Sequence, residues 1–136
     1  MKAKENNQVI ANTTQPISSK DSVNIGKLIR GKNVNKAIIR LEKIVSKELP
    51  LPLYRFGKDV SHKKGLGFGG RYPKNSSNGV IKALKLLKAN AKAKGLDESK
   101  LIINEFISNY AVSHEKRARY KTGVSTHIKI GAVMEK

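Results

Sequence analysis

Positive charge constrains this chain more than any other feature: its 136 residues carry 28 Lys or Arg against 10 Asp or Glu, a formal net charge of +18. Self-repulsion on that scale opposes compaction, and the apolar content that must overcome it is modest, 38% hydrophobic and 5% aromatic with no Trp. One small core of Ile, Leu, Val and Ala is expected, and a multi-domain enzyme is excluded. The charge calls for a polyanionic partner: nucleic acid, anionic lipid or an acidic protein. The absence of Cys removes disulfides, thiolate catalysis and Cys-based zinc sites. No run approaches the roughly 18 apolar residues of a membrane span, and Met1 to Gln15 lacks the apolar stretch of a signal peptide. The sequence reads as that of a soluble intracellular protein.

Helix signals are strong in three places. Ser18 followed by Asp21 resembles a capping box, Ile25, Leu28 and Ile29 follow at helical spacing, and Gly31 is a left-handed stop. Asn33 caps a second helix whose Val34, Ala37, Ile38, Leu41, Ile44 and Val45 form one apolar face. Pro50 and Pro52 then force extended backbone at Leu49 and Leu51. A third helix is predicted from about Ser76 to Lys94, with Val80, Ala83, Leu84, Leu87 and Ala91 inward, Lys82, Lys85, Lys88 and Lys92 outward, and Gly95 closing it. Thr126 to Met134 alternates as a half-buried strand. In Leu101 to Val112 the spacing of Ile102, Ile103, Phe106, Ile107 and Tyr110 suits a helix while its β-branched and aromatic content suits a strand, and periodicity leaves the two open.

Leu53 to Lys74 is a long loop that interleaves Arg55, Lys58, Lys63, Lys64, Arg71 and Lys74 with Tyr54, Phe56, Phe68 and Tyr72. It offers charges for phosphates and planar rings for exposed bases or riboses, although Tyr54 and Tyr72 suit core anchoring equally. Gly65, Gly67 and Gly70 satisfy the GxGxxG spacing, but no strand precedes them and Pro73 stands where a dinucleotide-binding helix would start. A glycine loop that lets the backbone approach a partner is the better reading. His62, His114 and His127 fall in no metal or catalytic array, and no carboxylate pair suggests acid–base work. Val80 to Lys94 holds five Lys and no acid, unlike a solvated helix that mixes signs for pairing.

These residues resemble a known family, the large-subunit ribosomal protein called L twenty-two in bacterial and universal naming and L seventeen in eukaryotes. Ile17 to Lys20 running to Ile29-Arg30-Gly31, Asn33 to Val45, Gly70-Arg71-Tyr72-Pro73-Lys74 leading into Val80 to Ala93 and Gly95-Leu96-Asp97, and Ser125-Thr126-His127-Ile128 carry the likeness in order. The insertion between Pro52 and Arg71 resembles the archaeal and eukaryotic branch. The resemblance implies an α+β fold, three helices packed on a small antiparallel sheet with an extended β-hairpin, and so makes Leu101 to Val112 a strand. It implies a structural, non-enzymatic constituent of the large ribosomal subunit in the cytoplasm that needs no cofactor. Its partners would be ribosomal RNA, neighbouring ribosomal proteins and the nascent chain, with the hairpin tip directed toward the polypeptide exit tunnel. The segment between Lys121 and Thr126 is shorter than is usual in the family, so the hairpin is shortened. If Leu101 to Phe106 pairs with Ile128 to Met134 in the body, roughly ten residues per arm project, about 33 Å at ~3.3 Å per residue.

The expected organisation is an N-terminal extension or edge strand over 1–16, placed only by order, and a single RNA-binding domain over 17–136. That domain includes the basic loop 53–74 and a hairpin at about 101–134. The RNA-contact candidates are Arg30 and Lys32 after the first helix; Arg55, Lys58, Lys63, Lys64, Arg71, Tyr72 and Lys74 in the loop; Lys85, Lys88 and Lys92 on the third helix; and Lys116, Arg117, Arg119, Tyr120 and Lys121 at the hairpin tip. The competing class is a basic DNA-binding or chromatin protein, which would present one recognition helix or arm.

Overall fold

In a computed structural model, residues 8–115 and 122–134 are described. The chain runs β1 (Gln8–Gln15), α1 (Ser19–Ile29), α2 (Val34–Val45), β2 (Leu51–Pro52), β3 (Gly70–Arg71), α3 (Lys74–Ala93), a 3-10 turn (Glu98–Lys100), β4 (Leu101–Tyr110), β5 (His114–Glu115), β6 (Thr122–Gly123) and β7 (Thr126–Met134). The α+β expectation is met: β1, β7 and β4 form an antiparallel sheet in that order, with three helices on one face.

Local chemistry places the helix ends. Ser18 Oγ accepts the Asp21 amide at 3.5 Å and Asn33 Oδ1 accepts that of Asn35 at 2.9 Å, so both caps act as the sequence indicates. Gly31 (φ +76°) and Gly95 (φ +71°) take the left-handed conformation after α1 and α3. Behind Gly95, the amide of Leu96 bonds to Ala91 O at 3.0 Å and that of Gly95 to Lys92 O at 3.0 Å, a Schellman closure that folds Leu96 onto the core. The third helix starts at Lys74, two residues before the predicted Ser76, because the Pro73 carbonyl accepts the Ser77 amide at 3.0 Å and opens the first turn.

The core lies between helices and sheet, with Ile25, Ile29, Leu41, Ile44, Leu84, Leu87, Ile103, Ile128 and Ile130 among its fully buried side chains. Each such side chain contributes about 1.5–3 kcal/mol relative to exposure. Ser19 and Thr126 form a buried polar tie between the start of α1 and the start of β7: their hydroxyls lie 2.8 Å apart and Thr126 Oγ1 donates to Ile17 O at 2.7 Å.

Leu101 to Tyr110 is a strand, and its register against β7 slips between Ile103 and Glu105, where Asn104 bulges out. The three-stranded body reaches farther than expected: Tyr110 faces Thr126, and Thr126 also faces Gln15 of β1. The projecting hairpin therefore begins at Ala111, whose amide donates to Ser125 O at 3.0 Å, and continues as β5 on β6. This shortens the roughly ten-residue arm expected from sequence, because four of those residues, Ile107 to Tyr110, already belong to the sheet. The basic cluster Lys116, Arg117, Arg119, Tyr120 and Lys121 lies outside the described residues.

Candidate nucleic-acid interface

The basic loop is docked rather than dangling. Its ends close as a two-stranded antiparallel pair, Leu51 on Arg71 and Pro52 on Gly70, and the Leu53 amide donates to Gly69 O at 3.1 Å. Pro52 has no N–H to offer, which suits a strand with only one neighbour. On the α1 side, Asn24 Nδ2 donates to Arg55 O at 3.0 Å while its Oδ1 accepts the Arg55 amide at 2.9 Å.

That docking brings two lysines of α1 against the loop aromatics. Lys27 Nζ lies 5.0 Å from the Tyr54 ring centre and Lys20 Nζ 5.3 Å from that of Phe56, while Arg55 lies 5.3 Å from Phe56 and Lys63 5.9 Å from Tyr72. Tyr54 and Phe68 tilt at 43° with centroids 6.2 Å apart. Tyr54, Phe56 and Phe68 are exposed and Tyr72 is half-buried, so none of the four is a core anchor. The glycine spacing at Gly65, Gly67 and Gly70 does not open a helix; Gly70 sits in β3, and α3 begins after Pro73.

Among the described residues the predicted contacts other than Lys32, which is half-buried beyond the end of α1, fall into three patches. Lys63, Arg71 and Tyr72 line an open groove of about 720 Å³ together with Lys47, Asp21 and Asp59. Arg30 and Arg55 flank a smaller cleft of about 260 Å³ floored by Val23, Gly26 and Phe106 and edged by Lys27. Arg30 Nη2 donates to Phe106 O at 2.9 Å, so part of that guanidinium is structural. Lys58, Lys64 and Lys74 are exposed around the groove's loop, and Lys85 and Lys92 are exposed on the separate outer face of α3. Lys88 on that face is held at 3.4 Å by Glu98.

Electrostatic compensation is sparse. Among the described residues there are two ion pairs, Lys88 with Glu98 and Lys129 with Glu105, each at 3.4 Å. Burial, and secondarily the nearby Arg40 charge, lowers the pKa of Lys32 below its ordinary 10.5. The Ser99 hydroxyl and then its backbone N–H lower that of Asp97. Among the described residues no three His, Cys, Asp or Glu side chains gather as a metal site, and no helix is long and apolar enough to cross a membrane.

Lys20, Lys27 and Lys47 stand in the candidate patches although the sequence did not single them out. The signal for the first two was present: an i, i+7 pair on the exposed stripe of an otherwise buried helix.

Three helices on an antiparallel sheet, with a docked cationic loop, two basic clefts and a lysine-faced helix, define a small basic α+β protein with two ion pairs among its described residues. The chain belongs to a family described as Ribosomal protein L22p/L17e, whose model matches residues 10–129. Among curated relatives it is 42% identical over 90 residues to large ribosomal subunit protein uL22 of Archaeoglobus fulgidus, covering 65% of this chain and 58% of the relative. It is 37% identical over 92 residues to uL22 of Picrophilus torridus, covering 68% and 61%. Against uL22 of Nanoarchaeum equitans it is 32% identical over 127 residues, covering 85% and 71%. The match thus spans less than two thirds of the length of the first two relatives.

Proposed function

We propose that this chain is a structural constituent of the large ribosomal subunit that binds ribosomal RNA, with its basic hairpin directed toward the polypeptide exit tunnel. The observation that carries the reading is the spread of uncompensated cations over loop, clefts and helix face, against two ion pairs among the described residues. A duplex reader concentrates its contacts on one helix or arm; a protein set into folded RNA meets phosphates on several sides. Arg55 and Arg71 suit forked phosphate contacts, whereas the lysines serve as point charges. Lys116, Arg117, Arg119, Tyr120 and Lys121 enter on sequence alone, as does the direction of the hairpin, which rests on the family resemblance. The β5–β6 continuation beyond the sheet supports a projecting arm. Neighbouring ribosomal proteins and the nascent chain are the further partners this placement brings, and the reading requires no catalysis and no cofactor.

The test is competition of labelled large-subunit RNA fragments against duplex DNA at matched salt, together with sedimentation with large subunits after a moderate salt wash. RNA preference with a steep salt dependence is expected; equal competition by duplex DNA would favour the chromatin-type alternative.

A further inference from the structure

Phe56 stands where its residue type is least comfortable. Its φ is +61°, the left-handed region that Gly and Asn occupy readily and that is a true outlier for a bulky aromatic. Burial does not explain it, since the side chain is 53% exposed. Nor is the conformation free to relax. Arg55 on one side is fixed at both backbone groups by the buried Asn24. On the other side, Gly57 is pressed so close to Leu53 that a Cβ there would lie 2.8 Å from Leu53 Cβ. The backbone is over-determined around an exposed ring, an arrangement associated with function.

The four loop aromatics also differ from one another. Tyr54 and Phe68 stack on each other, and Tyr72 is half-buried with Lys63 above it. Phe56 has no aromatic neighbour among the described residues. Its near companions are Lys20 Nζ and the Arg55 guanidinium, each 5.3 Å from the ring centre and both on long side chains that can swing aside. An aromatic plane flanked by two cations matches a nucleotide: the base lies on the ring and its phosphates meet the lysine and arginine.

We infer that Phe56 is a stacking platform for one unpaired base of RNA, with Lys20 and Arg55 holding the adjoining phosphates. The inference rests on the RNA-binding reading and narrows it to a residue and an RNA form. A base inside an A-form duplex offers no free face, so the ligand is a bulged, looped or otherwise extruded nucleotide.

The test compares the full chain with Phe56→Asn and Phe56→Tyr. Three probes are used at matched salt: an oligoadenylate of about 12 nucleotides, in the size range of single-strand sites, an abasic strand of the same length, and an RNA duplex. Thermal unfolding is followed in parallel. Phe56→Asn should weaken oligoadenylate binding on the order of tenfold, leave abasic and duplex binding unchanged, and hold or raise the melting temperature, because Asn tolerates the left-handed backbone. Phe56→Tyr should retain the affinity. Unchanged oligoadenylate binding in Phe56→Asn, an equal loss on all three probes, or a melting temperature several degrees lower would overturn the assignment. Failure of the wild type to prefer large-subunit RNA over duplex DNA would instead overturn the RNA-binding reading, so the two failures are separable.

Discussion

The carboxamide of Asn24 grips the backbone of Arg55 from both sides, donating to its carbonyl at 3.0 Å and accepting its amide at 2.9 Å. The same Nδ2 also reaches Lys20 O at 3.0 Å, and the side chain is 1% exposed. Asn24→Ala removes these partners at once and leaves an amide and carbonyl to find water in a confined place. Each such hydrogen bond, part-buried here, contributes about 0.5–1.5 kcal/mol. The expected outcome is a lower melting temperature with faster amide exchange at Arg55 and its loop neighbours than in β7. Uniform exchange changes across the whole protein would mean that the clamp is not local.

Gly26 faces Phe106 with no room for a methyl group: a Cβ built on Gly26 would run into the phenyl ring, which is 4% exposed. In most helix interiors Gly→Ala gains up to about 1 kcal/mol from propensity. Here the sign reverses, and Gly26→Ala should destabilise by about 1–3 kcal/mol through overpacking. Adding Phe106→Leu should recover part of the loss, measured by chemical denaturation of the single and double variants. The same substitutions alter the cleft edged by Arg30 and Arg55, so RNA affinity should fall with Gly26→Ala even at temperatures where it is fully folded.

Lys32 carries its charge against burial first and the Arg40 charge second, both of which lower its folded pKa from 10.5. Between the lowered folded value and 10.5, the unfolded chain binds more protons than the folded one, so stability rises with pH across that window. Below it the penalty is present in full. Lys32→Met should therefore melt higher than wild type at neutral pH, with the difference shrinking as pH approaches 10.5. It should also weaken RNA binding, because a phosphate beside Lys32 and Arg40 relieves the repulsion that the free protein endures. A lower melting temperature for Lys32→Met at pH 7 would show that the aliphatic stem, not the ammonium, dominates.

What could be read from the chain follows from how local its causes are. Ser18, Asn33, Gly31 and Gly95 act within one turn of themselves, and the helix ends they mark are where the sequence places them. β4 could not be read because of the bulge at Asn104. Leu101 and Ile103 are buried by alternation, then the extra residue shifts the parity so that Phe106 is the next buried position, and the apolar spacing imitates a helix. The basic loop was legible as composition, but its docking was not, since a helical Asn gives no sign of reaching a loop 31 residues away. For the same reason Lys20 and Lys27 become part of the candidate interface only once the loop is seated on α1.

The outer face of α3 separates a free cation from a partnered one. Lys85 is exposed without an ion pair among the described residues, whereas Lys88 is held by Glu98 at 3.4 Å. If that face meets phosphates, Lys85→Ala removes one contact outright and should reduce the magnitude of the salt slope of RNA binding by about one. Lys88→Ala should do less, because in the free protein part of its charge is already neutralised and phosphate binding must displace the carboxylate. Glu98→Gln supplies the complementary arm. It releases Lys88 at small cost to stability, since exposed pairs are worth roughly 0–1 kcal/mol, and it should tighten RNA binding in the wild-type background but not beside Lys88→Ala. Wild type, Lys88→Ala, Glu98→Gln and the double variant form a double-mutant cycle whose coupling term reports the pair itself. Equal slopes for Lys85→Ala and wild type would take the face of α3 out of the interface and leave the loop and clefts to carry it.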